Sequence, residues 1–272
     1  MNEKEKTVNN ITLQRKNTEL DSAAISHSKY NDGSDSHELF NHFSTYFRAL
    51  VAKESSQFEA AHLMRHKIFC EELKVFNSNK TGLESDGYDN YAEQLLIQHM
   101  GTLHFCGCVR LIIPQNQSQA LPIEKHGIQY CSQTNLLPNK FKREEIAEVS
   151  RIAIPREFRR RKIDKSDCAA TTGIDIDLYD ESDIRCFPFI GVGLYMACAA
   201  LIKNRRRKHI YFMAEPKLGQ SMQFIGLKMT KLGDEFEYVG RRVPYYLNIE
   251  QFIEELKPSF KFMLANFIEV VR

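Results

Sequence analysis

Glu148-Val149-Ser150-Arg151 heads a run that turns apolar at once, Ile152-Ala153-Ile154. Strand alternation puts Glu148 and Ser150 on one face, Val149 and Arg151 on the other. A carboxylate in such a run is costly to bury unless it is paired or protonated. Desolvation raises its pKa toward the range in which a general base works. The same residues also fit an edge-strand ion pair with Arg151 or Arg110, and spacing alone leaves both open.

Two other groups could do chemistry. Arg65-x-x-x-Phe69 places a cation and an aromatic ring on one helix face at i,i+4. Glu84-x-Asp86-x-x-Asp89 follows, carboxylates able to hold an amine or pair with arginines, or simply a solvated acidic turn. Basic side chains cluster in Arg156, Arg159, Arg160, Arg161 and Lys162, and again in Lys203, Arg205, Arg206, Arg207 and Lys208. These are ten of the 37 Lys and Arg residues. Such runs bind phosphates or an acidic protein, or sit as solvated helix ends. The acidic stretch 163–188 between them suits a flap lying over that basic surface.

The elements that must position these groups are legible from periodicity. A strand is expected over Tyr46–Lys53, then a helix capped by Ser55 or Ser56 and running to about Leu73. Two strands, Ala92–Met100 and Thr102–Ile113, meet at Gly101 as a hairpin. After a long polar excursion come a strand over Ala147–Pro155, a helix over Gly191–Lys203, a strand over His209–Ala214 and a helix over Leu218–Leu227. Strands at Phe236–Val239 and Tyr245–Leu247 and helices at Glu250–Leu256 and Phe260–Val271 close the chain. An antiparallel hairpin combined with a later helical crossover predicts one α/β domain with a mixed sheet, residues 38–272. Residues 1–37 read as a flexible arm.

Composition narrows the class. The 272 residues carry 37 basic and 35 acidic side chains, net +2, which excludes a generally polycationic nucleic-acid binder. No apolar stretch approaches the roughly 20 residues of a membrane span, and the first residues lack a signal-peptide core, so a cytoplasmic protein is expected. The 7 cysteines are irregularly spaced, and Cys106 and Cys108 fit buried strand thiols rather than a metal or redox motif. No Cys sits in a His-paired motif, which disfavours a cysteine nucleophile.

Four motifs in order carry a resemblance: Arg65-His-Lys-Ile-Phe69-Cys-Glu-Glu, Leu83-Glu84-Ser-Asp86-Gly-Tyr-Asp89, Gly107-Cys-Val-Arg110-Leu, and Glu148-Val-Ser-Arg151-Ile-Ala-Ile. The series resembles the acyl-homoserine-lactone synthases and, more closely, the N-acyl amino acid synthases. Among these it is most similar to acyltransferases associated with PEP-CTERM/exosortase systems. The resemblance implies the GCN5-related N-acetyltransferase fold, a single α/β domain with a mixed, mostly antiparallel central sheet flanked by helices. It also implies transfer of a fatty acyl group from an acyl carrier protein thioester to the amine of an amino acid or similar small amine.

The same resemblance assigns roles. Glu148 is the general base, acting through water, with Arg110 and Arg151 beside it. Arg65, Phe69, Glu84, Asp86, Asp89 and Ser150 line the amine side, and the backbone of Ile152, Ala153 and Ile154 faces the thioester. Arg156, Arg159, Arg160, Arg161 and Lys162, joined by Arg205, Arg206 and Arg207, receive the phosphopantetheine phosphate or dock the acidic carrier. No metal or other cofactor is needed, because the thioester is already activated; coenzyme A remains an alternative donor. Membrane contact is expected only peripherally, through a lipid product.

The sequence departs from the pattern twice. Some 26 residues stand before Gly191-Val-Gly193, where acetyltransferases carry a pyrophosphate loop. The tryptophan that lactone synthases carry after the first motif is absent, with Val75-Phe76 in that region, which favours an amino acid over S-adenosylmethionine. The alternatives are a lactone synthase, differing in acceptor, and a non-catalytic sensor of acyl chains or carrier protein.

Overall fold

The computed structural model describes residue 41 and residues 43–159, 190–216, 219 and 228–272. The arm 1–37, the acidic stretch 163–188, residues Arg160, Arg161 and Lys162, and all but Gly219 of the expected helix Leu218–Leu227 lie outside these residues.

Strand β1 (Phe47–Val51) leads into helix α1 (Ser55–His66). The helix is capped one residue earlier than expected, at Glu54, because Gln57 Oε1 accepts the N–H groups of Lys53 and Glu54 at 2.8 and 3.1 Å. The helix does not run on unchanged. Lys67–Glu72 is wound as a π-turn, closed by Leu73 N–H to Ile68 O at 2.9 Å. Strands β2 (Ala92–His99) and β3 (Phe105–Ile112) form the expected hairpin. The excursion that follows contains a short helix, α2 (Pro122–His126), before β4 (Ile146–Ala153) and the turn α3 (Arg156–Arg159).

Helix α4 (Ile190–Asn204) crosses back to β5 (His209–Ala214), which matches its expected bounds. Two short strands, β6 (Thr230–Lys231) and β7 (Phe236–Glu237), precede β8 (Arg241–Asn248), longer than the alternation suggested. Helices α5 (Ile249–Glu255) and α6 (Pro258–Val270) end the chain.

The sheet runs β1-β2-β3-β4-β5-β8-β6, with β7 on β8. Its neighbours are antiparallel except β4 and β5, which are parallel because α4 carries the chain back between them. One face packs α4, α5 and α6 through Leu194, Ala197, Leu201, Phe252 and Leu264. The other face carries α1, whose Ala61 and Met64 sit over Leu96, Cys108 and Ala153, and beyond it the excursion, with Leu121 and Ile123 over Ile112 and Tyr211. Glu148 thus stands on an interior strand, not on an edge.

Two irregularities decide which side chains meet. In β3 the register against β2 slips at Cys106, so Cys106 packs toward the α4 face while Cys108 lies under α1; both are buried. In β4 the register against β3 slips between Ser150 and Ala153, and Arg151 adopts a left-handed φ of 53°. This bulge corrects the alternation expected from sequence. Arg151 shares the face of Ser150 rather than that of Val149, and alternation then resumes one residue out of step.

Beside the bulge, β4 and β5 pair from Ile146↔His209 to Glu148↔Tyr211 and no further among the described residues. Beyond Glu148 the two strands part, and the sheet opens.

Candidate active site

A cavity of about 430 Å³ occupies this opening. On the α1 and α2 side its wall is polar: Asp86, Tyr88, Arg110, Glu148, Ser150, Arg151 and Tyr238. On the other side it runs beneath Leu194, Cys198, Ala199 and Ile202 of α4 and Phe252 of α5. One continuous space therefore joins a charged face to an apolar one through the sheet.

At the polar end Glu148 is fully buried. Its Oε2 accepts the Ile123 N–H at 2.8 Å, while Oε1 has no hydrogen-bond partner among the described residues. Burial pushes its pKa up to about 8; the Ile123 N–H and the more distant Arg110 oppose that rise and are outweighed. The ion pair with Arg110 or Arg151 that the sequence left open does not form, because both arginines are held elsewhere.

Those arginines belong to a network. Arg110 donates both terminal nitrogens to Asp86, at 2.6 and 3.1 Å, and its Nε to Ser150 Oγ at 3.0 Å. Arg151 donates to Glu84 at 3.1 Å and to Asp86 at 3.0 Å. Arg65 donates to Glu84 at 2.5 Å and through both terminal nitrogens to Asp89, at 2.7 and 3.1 Å. Three guanidiniums thus meet three carboxylates with no net charge. Burial works against ionising Asp89 and Glu84, yet the arginines prevail and hold both below the usual carboxylate range. The Arg65 guanidinium, also buried, is held above its ordinary value by Asp89 and Glu84.

The local sequence explains the assembly. Asp86 caps the 3₁₀ turn Gly87–Tyr91, accepting the Tyr88 N–H at 2.9 Å, and the Asp89 carboxylate reaches back to the Asp86 N–H at 2.8 Å. The π-turn sets Phe69 beside Arg151, whose guanidinium carbon lies 5.8 Å from the Phe69 ring and 4.4 Å from the Phe76 ring. The Val75-Phe76 segment thus roofs the arginine of the bulge.

Sequence-expected residues fall into three groups. Glu148, Arg110, Arg151, Phe69, Asp86, Ser150, Ile152 and Ile154 line the cavity. Arg65, Glu84 and Asp89 stand behind that wall as its supports, and Ala153 packs against Ala61 under α1. Of the basic runs, only Arg156 in the first and Lys203, Arg205, Arg206, Arg207 and Lys208 in the second have described side chains. Arg156 lies just past the end of β4, whereas Arg205–Arg207 lie beside its start, where Lys208 N–H meets Glu145 O at 2.7 Å. Eight strand residues, about 25 Å, separate them.

Two arginines of the second run are also already committed. Arg205 forms a forked pair with Glu93 at 2.5 and 2.8 Å, and Arg207 is buried, donating to the Pro114 and Arg143 carbonyls. Arg206 is exposed, and the side chain of Arg159 is not among those described.

Sequence reasoning missed Tyr88, Tyr238, Phe76 and the Ile123 N–H. Tyr88 sits inside the acidic motif, at a position where an aromatic residue is itself a signal. Tyr238 stacks on His126 at 4.3 Å, and the Tyr88 hydroxyl lies 3.5 Å from His126 Nε2. Among the described residues no group of three His, Cys, Asp or Glu side chains is placed to hold a metal ion, and no helix is long and apolar enough to cross a membrane.

Residues 64–167 match the acetyltransferase (GNAT) domain model. No curated protein matches the sequence. Among solved structures the chain is similar to LasI, an AHL synthase, at 18% identity over 75% of this chain and 90% of that one, with a TM-score of 0.51. It is similar to FeeM, an N-acyl amino acid synthase from uncultured soil microbes, at 12% identity over 79% and 97%, TM-score 0.51. It is also similar to BjaI, a CoA-dependent acyl-homoserine lactone synthase solved with SAM and isopentyl-CoA, at 15% over 83% and 92%, TM-score 0.56. Sheet order, the parting of β4 from β5 and these likenesses agree: the chain has the single-domain α/β fold of the GCN5-related N-acetyltransferases.

Proposed function

We propose that the protein is an N-acyltransferase that moves a fatty acyl group from a pantetheine thioester to the amine of an amino acid or similar small acceptor. The observation that carries this reading is the cavity itself. It sets a buried carboxylate with one free oxygen in the polar wall of a passage whose far end, beneath α4 and α5, is apolar. An acyl chain suits the apolar end, which is already desolvated. The thioester then sits where β4 and β5 part, with the amine on the polar side.

Glu148 takes the amine proton, directly or through one water. The nitrogen attacks the carbonyl carbon, and the tetrahedral intermediate collapses as its C–S bond breaks, the sulfur leaving as the pantetheine thiol with the proton that Glu148 took. Main-chain N–H groups freed where β4 leaves β5 are the candidate donors to the oxyanion; one well-aimed donor contributes about 3 kcal/mol. Holding both reactants in one passage supplies the remainder through orientation.

The donor is proposed as an acyl carrier protein thioester, with Arg156, an exposed residue just past β4, as the described candidate for the docking side; coenzyme A is the competing donor. Association with PEP-CTERM/exosortase systems belongs to the same proposal. Lipid extracts of cells overproducing the protein, compared by mass spectrometry with cells producing Glu148→Gln, test it. An N-acyl amino acid or N-acyl amine that appears only with the intact protein supports the reading. A homoserine lactone would replace the acceptor, and extracts identical in both strains would reject the transferase.

A further inference from the structure

We infer that Arg242 recognises the acceptor by pairing with a carboxylate on it, so that the acceptor class is amino acids rather than plain amines. This rests on the transferase reading and goes further, since no sequence motif singled out Arg242.

The polar wall offers little else to an anion. Arg110 is locked by both oxygens of Asp86, and Arg151 is shared between Glu84 and Asp86 beneath two phenylalanines. A substrate carboxylate at either would have to break a buried pair and strand a carboxylate of the protein.

Arg242 is placed differently. The pairing Ala214↔Val243 puts it level with Glu215, on the open end of the passage, and both line the cavity with Tyr238. The turn before β8 delivers it there. Val239 and Gly240 both take left-handed φ, 52° and 81°, and Tyr238 N–H closes on Gly240 O at 2.9 Å.

Its pairing is lopsided. Among the described residues Arg242 Nη1 meets Glu215 Oε1 at 3.3 Å and the Arg241 carbonyl at 3.1 Å. The Arg242 side chain is only 14% exposed, whereas that of Glu215 is 57% exposed. A cation drawn into the cavity is therefore matched by a carboxylate that mostly stays in water. Such a rim pair contributes little and opens at small cost. An incoming carboxylate can take the planar fork in a bidentate contact inside the passage, where that contact is stronger. The amine of the same molecule then points along the wall toward the free oxygen of Glu148.

Calorimetric titration of amino acids and their carboxamides into the full-length protein tests this without depending on turnover. The intact protein should bind the acids about 10- to 100-fold more tightly than the amides. Arg242→Gln should abolish that preference by weakening the acids alone. Glu215→Gln should act in the opposite direction, tightening acid binding, which a merely structural role for the pair would not do. Acids and amides binding alike, an amide loss equal to the acid loss in Arg242→Gln, or no amino acid binding at all would each overturn the inference.

Turnover assays separate the two layers. Acid-selective binding lost in Arg242→Gln, with no acyl transfer from any thioester, would leave Arg242 as a carboxylate site and reject the transferase. Transfer to amines with donor KM, rather than acceptor KM, raised in Arg242→Gln would keep the transferase and assign Arg242 to the donor.

Discussion

On the proposed mechanism Glu148 is asked to be two things in one place: neutral enough to stay buried and basic enough to take a proton. With a pKa pushed up to about 8, the free protein holds it mostly protonated at neutral pH. Turnover per encounter should therefore rise with pH through about 8, and kcat/KM measured from pH 6 to 9 checks this. Glu148→Gln should lose that limb and about 10²-fold or more in rate.

Stability should move the other way. A carboxyl whose folded pKa lies above its unfolded value favours the fold most at low pH, and the advantage is lost as pH climbs from about 4.5 to 8. Glu148→Gln removes the cost of ionisation. Its melting temperature should exceed that of the parent at pH 8 to 9 and converge with it near pH 4, as calorimetry across that range would show.

At the scale of elements, the short helix α2 orients this carboxylate from outside the sheet. Arg143 grips both oxygens of Glu124, at 2.9 and 2.7 Å, and Glu124 Oε2 accepts the Leu121 N–H at 2.7 Å. The turn so fixed presents the Ile123 N–H to Glu148. Arg143→Met should loosen the turn and leave the Glu124 charge uncompensated, and both changes disfavour ionised Glu148. The rising limb of the rate profile should shift to higher pH, with turnover at pH 7 about tenfold lower and acceptor KM unchanged. A fall in rate with an unmoved limb would make Arg143 a scaffold only.

Much of this scale was legible in the sequence. Apolar periodicity located β5 at its observed bounds and α4 within a residue, and the crossover between β4 and β5 followed from the helix joining them. The bulge was not legible, because an extra residue in a strand leaves no periodic trace until the register is seen; Arg151 was assigned to the wrong face for that reason. The role of the excursion was hidden as well, since it works through a backbone N–H, which every residue type carries. The partners of the second basic run were not legible either, because charge density says nothing of them. Glu93 and the Pro114 and Arg143 carbonyls, distant in sequence, consume Arg205 and Arg207.

At the scale of the molecule, the passage crosses the sheet instead of resting on one side of it. Its apolar end is set by small side chains on α4, among them Ala199, which lines the cavity and is 4% exposed. Ala199→Leu should fill that end and shift preference toward shorter acyl donors, at a packing cost of about 1–3 kcal/mol. Competition between donors of graded length, scored by product mass, checks the shift; unchanged preference would place the acyl chain elsewhere.

On the proposed reading, an acyl tail threaded between β4 and β5 would also govern how the reaction ends. Once joined to a bulky head group on the polar side, the tail cannot follow through the sheet and must back out the way it entered. Every methylene drawn from the apolar end costs about 0.8 kcal/mol, so egress slows about fourfold for each one added. With long donors a rapid first turnover should then give way to a slower steady rate, and the burst should fade as the chain is shortened. The open seam in the sheet would thereby act as a clock on product retention, set by lipid length and not by bond formation.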